Sequence, residues 1–131
     1  MPEAAESAVA DMVALVRKLT SANFSNILIT ADHGFIYQHR PLDESDYSSA
    51  KAAGEQILAQ NRRFVVGRGL DMVPGFRKFS ERQLGLDGDL DVLIPNSITR
   101  LRTQGGGSRF VHGGASLQEI VVPLLRVGKS R

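Results

Sequence analysis

Asn26-Ile27-Leu28-Ile29-Thr30-Ala31-Asp32-His33-Gly34 is the stretch on which the fold turns. An apolar run of strand character ends in an acid, an imidazole and a glycine. Three consecutive apolar residues, Ile27 to Ile29, predict a strand buried on both faces, as in the middle of an α/β sheet. In open α/β sheets ligands bind outside the carboxyl ends of the strands, and Asp32 and His33 stand at that end. Neighbours on a regular strand point to opposite faces. The two can share one metal only if the backbone turns, and Gly34 permits a turn. The alternative is a strand-terminal turn with Asp32 as a cap and His33 on the surface.

Working outward, residues 3–20 precede this strand and predict a helix. Met12, Leu15, Val16 and Leu19 recur at i, i+3, i+4 and i+7 and form one apolar stripe. Glu3 and Glu6 suit the positive end of its dipole, and Arg17 and Lys18 the other. Helix followed by strand is the repeating unit of layered α/β folds. The expected class is therefore α/β, with a mixed or mostly parallel sheet and flanking helices.

After Gly34, Phe35-Ile36-Tyr37 form a short apolar segment that His39-Arg40-Pro41 ends. His39 is a ligand alternative, but a lone histidine before Arg-Pro is more often simply exposed. Residues 42–61 are small and polar, with acids at Asp43, Glu44 and Asp46. They predict a surface excursion within a single 1–131 segment, with a helical patch at 48–60. Arg62 to Val66 predict a second strand, and Gly67-Arg68-Gly69 a turn. Residues 71–83 give no clear period. Leu90 to Ile94 predict a third strand, stopped by Pro95. Gly105-Gly106-Gly107 reads as a turn between strands, because no phosphate-loop pattern surrounds it. A nest of amides for an anion is the competing function, and Arg109 beside it is a candidate phosphate contact. Ser116-Leu117-Gln118-Glu119 is a capping box that starts a short helix, which Pro123 cannot continue. Leu124, Leu125 and Val127 predict a closing strand.

The composition bounds the chemistry. At 131 residues, 42% hydrophobic and 23% charged, the chain suits one packed domain rather than a disordered segment. Cysteine is absent, so a metal must be held by imidazole, carboxylate or hydroxyl oxygen. Such donors suit zinc, manganese or magnesium. A net charge of +2 is too small by itself to argue for nucleic acid. With aromatics at 6%, base stacking is not expected to drive binding either. Six arginines, Arg62, Arg63, Arg68, Arg100, Arg102 and Arg109, still offer a nucleic-acid surface as a minor alternative. No apolar run reaches the roughly 20 residues that span a bilayer. No secretory signal is visible, so a cytoplasmic protein without membrane contact is expected.

Of the three histidines, His33 and His112 both sit at glycine-flanked ends of apolar segments. With Asp32 they make a two-histidine, one-carboxylate set, either for one metal or for parts of two neighbouring sites. A serine–histidine–aspartate triad is disfavoured, since no GxSxG elbow is present.

Ile29 to Tyr37, with its Asp32-His33-Gly34 core, resembles the DHG signature of the alkaline phosphatase superfamily. Gly105 to Pro123, with His112-Gly113-Gly114-Ala115-Ser116-Leu117-Gln118-Glu119 at its centre, resembles the end of PglZ domains of bacterial and archaeal phage-exclusion (BREX) systems. Arg62 to Gly67 and the strand before Pro95 share the resemblance, which runs from about residue 24. It implies the C-terminal portion of an alkaline-phosphatase-like fold and a two-metal phosphoesterase site. Asp32 and His33 would hold one metal, most readily zinc, and His112 the other. It also implies a nucleophile and further ligands upstream. Here the only earlier aspartate is Asp11, inside the predicted helix. The resemblance therefore implies a segment that supplies part of a site and is inactive alone. Its partners would be the remainder of its own PglZ protein, other phage-defence proteins and a phosphate ester. A non-catalytic scaffold or interaction module of the same defence complex is the alternative.

Overall fold

In the computed structural model residues 2–128 are described. In chain order the elements are α1 (Pro2–Ser21), β1 (Asn26–Thr30), β2 (Ile36–Tyr37), β3 (Gly54–Gln60), β4 (Val65–Leu70), β5 (Phe76–Ser80), β6 (Asp91–Pro95), β7 (Phe110–Val111), α2 (Leu117–Ile120) and β8 (Leu124–Gly128). Two 3₁₀ turns, Glu44–Asp46 and Glu81–Leu84, complete the list. No helix among the described residues is long and apolar enough to cross a membrane. The chain divides into two compact units, residues 1–32 with 123–131, and residues 33–122.

The first unit holds α1, β1 and β8. The strands pair antiparallel, from Asn26 opposite Gly128 to Thr30 opposite Leu124. One face of this ribbon presents Ile29, Leu125 and Val127 to Val9, Met12 and Val16 of α1, around an apolar groove of 620 Å³. The expectation that β1 is buried on both faces is not met. Its residues alternate exposed and half-buried, and Leu28 is 61% exposed. Three apolar residues in a row specify strand conformation. Burial needs a second layer, and among the described residues nothing covers the Leu28 face.

The second unit contains a four-stranded sheet in the order β3-β4-β6-β5. Every neighbour in it is antiparallel, which corrects the expected mostly parallel sheet. Parallel neighbours need a crossover of about a dozen residues or more, usually a helix. The only helical connection within this sheet is the four-residue Glu81–Leu84 turn. One parallel bridge, Tyr47 with Arg100, lies outside the strands. Val65, Leu70, Val73, Phe76, Leu93 and Leu101 form the buried core on this sheet, with Ala50 and Ala52 against it.

Three local expectations also change. The predicted helical patch at 48–60 has no helix, and its residues 54–60 are β3, exposed along its length at the sheet edge. Glu, Gln, Leu and Ala favour helix only weakly, and pairing with β4 overrides them. Gly67-Arg68-Gly69 lies inside β4 rather than in a turn. A side chain at Gly67 would place its Cβ 2.1 Å from the Gln56 carbonyl oxygen, so glycine permits β3 to approach. The unassigned stretch 71–83 supplies β5 and most of the second 3₁₀ turn.

Candidate functional site

Two short strands build the site. β2 and β7 pair antiparallel with Ile36 opposite Val111 and Tyr37 opposite Phe110, and the Gln38 N–H donates to the Arg109 carbonyl at 2.9 Å. Ile36 and Val111 are buried and anchor the ladder. Phe35 and Tyr37 flank Ile36 of β2, with Phe110 and His112 flanking Val111 of β7 across from them. Diagonal neighbours on such a face lie within reach of ring side chains. Phe35 stacks on Phe110 with centroids 4.3 Å apart. His33 stacks on His112 at 4.4 Å, with ring planes 17° apart. The two histidines, 79 positions apart in the sequence, thus share one exposed face.

The His33 Nδ1 lies 2.8 Å from the Gly34 carbonyl oxygen. A carbonyl only accepts, so this contact places a hydrogen on Nδ1. Metal-ligating histidines use this arrangement, one nitrogen held by a carbonyl and the other turned to the ion. The ions of a two-metal site lie about 4 Å apart, close to this ring spacing. Asp32 is exposed and ends the first unit, one residue before His33. Among the described residues no group of three or more His, Cys, Asp or Glu side chains is arranged to hold a metal ion. The structure therefore brings His33 and His112 together and shows no complete ligand set. Two imidazoles are donors of the kind that divalent metals take.

Beneath the histidine loops lies an ion pair that sequence reasoning missed. Arg63 and Glu119 have side chains 0% and 1% exposed and meet at 2.8 Å. Arg63 Nε donates to Glu119 Oε1 at 2.9 Å and Nη2 to Oε2. Nη2 also donates to the Ser97 carbonyl at 2.7 Å, and Nη1 to the Thr99 carbonyl. Glu119 accepts further from the Gly114 N–H, the Ser116 N–H and the Ser116 hydroxyl. Burial works to raise the Glu119 carboxyl. The hydrogen bonds from Arg63, Ser116 and the Gly114 and Ser116 amides outweigh it and hold the group at about 2, below the ordinary 4.5. Its capping-box place was legible in the sequence, but its long-range partner was not.

The candidate arginines are otherwise engaged. Arg63 and Arg100 are buried and cannot line a nucleic-acid surface. Arg62 binds Thr103 and the carbonyls of Gly105 and Gly106, which fastens the glycine turn. Arg109 donates to the carbonyls of Gln38 and His39. Arg68 pairs with Asp89, and Arg102 with Glu44. Beside His112 an open pocket of 410 Å³ is lined by Gln60, Asn61, Arg62, Thr103 and Gln104, among others.

Comparison with known proteins decides the family. The profile of the BREX system PglZ alkaline phosphatase-like domain matches residues 1–127. The chain belongs to the PglZ family. It is 38% identical over 130 residues to the alkaline phosphatase-like protein PglZ of Bacillus cereus, covering 98% of this chain and 15% of that protein. It is 34% identical over 128 residues to the alkaline phosphatase-like protein BrxZ of Escherichia coli, covering 95% of this chain and 15% of that protein. This PglZ chain thus spans about 15% of the length of the relatives it matches. No solved structure matches it.

Proposed function

We propose that this chain supplies part of the two-metal site of a PglZ-type phosphoesterase acting in phage defence. The observation that carries the proposal is the His33–His112 stack, two exposed imidazoles at a spacing suited to adjacent ions. His33, through Nε2, would hold one metal and His112 the other. Asp32 joins His33 by its place in the Asp32-His33-Gly34 motif. Zinc suits these donors best, with manganese or magnesium as substitutes. Bound divalent ions would stabilise charge on the attacking and leaving oxygens of a phosphate ester. The 410 Å³ pocket beside His112, lined by amide and hydroxyl groups, offers room for the rest of that ester. The nucleophile and the remaining ligands would come from outside these residues, so the chain alone would not turn over substrate.

A second function, a non-catalytic scaffold of the same defence complex, draws on the lack of a three-ligand cluster among the described residues. Hydrolysis of bis(p-nitrophenyl) phosphate by the full-length protein, with and without zinc or manganese, separates the two. The expected result is metal-dependent turnover that falls at least 100-fold in an Asp32→Ala, His33→Ala double variant, on the order of the loss of a direct transition-state contact. Absence of turnover with every metal, from folded protein, would favour the scaffold.

A further inference from the structure

We propose that Glu119 is a positioning residue that sets His112 against His33, a role that rests on the metal-site function proposed above. Glu119 is attached to both histidine loops at once. Its backbone carbonyl accepts from the Gly34 N–H at 2.8 Å, one residue after His33. Its carboxylate accepts from the Gly114 N–H at 2.9 Å, two residues after His112, and from the Ser116 N–H at 3.1 Å. Arg63 fixes that carboxylate through both oxygens and is itself tied to the Ser97 and Thr99 carbonyls.

The glycines in both loops are dictated by this clamp. A Cβ at Gly34 would lie 2.1 Å from the Gln118 carbonyl oxygen. A Cβ at Gly114 would meet Arg63 Nη2 at 2.7 Å and Glu119 Oε2 at 2.8 Å. Gly113, with φ 101°, lets the chain turn from His112 onto the clamp. The two arms of Glu119 differ in kind. Any residue at 119 keeps the backbone bond to Gly34. Only a correctly placed acceptor keeps the bonds to Gly114 and Ser116. Loss of the side chain should therefore release His112 and leave His33 in place.

The test uses metal-free protein first, then zinc. Wild type should show a nuclear Overhauser contact between the His33 and His112 rings, which stack at 4.4 Å. Glu119→Gln should weaken or abolish it. Because that variant leaves Arg63 buried without its counter-charge, an Arg63→Met, Glu119→Ala double variant removes both charges and should lose the contact in a folded protein. In both, His112 resonances should shift more than those of His33. Zinc affinity measured calorimetrically should fall tenfold or more, within the range seen when groups behind a metal ligand are removed. An intact ring contact and unchanged zinc affinity in a folded variant would overturn the proposal, as would a wild type without the contact. Collapse of both variants would also overturn it, reducing the pair to a stability element. If wild type binds no zinc and yet the variants lose the ring contact, the positioning role stands and the metal function fails.

Discussion

Gly34 shows how a single position carries both fold and site. Its backbone runs so close to α2 that no side chain fits, since a Cβ would lie 2.1 Å from the Gln118 carbonyl oxygen. Gly34→Ala must push one segment away from the other and should cost about 1–3 kcal/mol in urea unfolding. The same backbone shift would disturb the Gly34–Glu119 bond, so the His33–His112 contact should weaken in parallel. Glu119 gives the second prediction at this scale. Its carboxyl, ordinarily at 4.5, is held at about 2 in the folded chain. A group depressed by folding stabilises the native state above its unfolded value and loses that contribution as pH falls through the folded one. Stability should therefore hold above pH 4.5 and drop by on the order of 3 kcal/mol towards pH 2. In Glu119→Gln that part of the acid slope should vanish, which urea titrations across this range would reveal. What the sequence made visible here was local. Asp32, His33 and His112 stood out by their glycine neighbours, and Glu119 by its capping box. The partnership of Arg63 with Glu119, 56 positions apart, left no local trace. Arg63 looked like one of several surface arginines until its burial was known.

The elements were legible where one period dominated. α1 runs from Pro2 to Ser21, close to the 3–20 expected from its apolar stripe. β6 and β8 fall within a residue or so of the runs that foretold them. Edge and irregular elements were not legible, because their conformation is set by neighbours rather than by pattern. β3 is composed of helix-tolerant residues and is a strand only because β4 pairs with it, across a register shift between Ile57 and Ala59. β4 contains two glycines that look like a turn and serve instead as room for β3. The parallel arrangement failed for a related reason. Helix followed by strand is evidence for a crossover only if another long helix follows, and α2 has four residues. The sheet should therefore show a steep gradient of sensitivity. Leu93, fully buried in β6, contacts the core from the sheet interior. Leu93→Ala should cost about 2–5 kcal/mol. Leu58, 48% exposed on edge strand β3, should cost within about 0.5 kcal/mol when changed to alanine. Equal losses in chemical denaturation would mean that β3 is covered in solution.

At the scale of the molecule, the core and the candidate histidines belong to the same unit. Every residue of the buried core cluster lies between positions 65 and 101. His33 and His112 are carried by β2 and β7, whose Ile36 and Val111 are buried too. The first unit contrasts with this. None of its described residues is buried. Leu28, Leu124 and Leu125 are 61%, 73% and 56% exposed on a two-stranded ribbon. Two strands alone are marginal in water, and the apolar side of α1 meets them across an open groove. Local opening free energy follows buried contact density. Amide hydrogens of β1 and β8 should therefore exchange at least tenfold faster than those of β4 and β6 in the chain on its own. Uniform protection across both units would instead mean that they open together as one cooperative body.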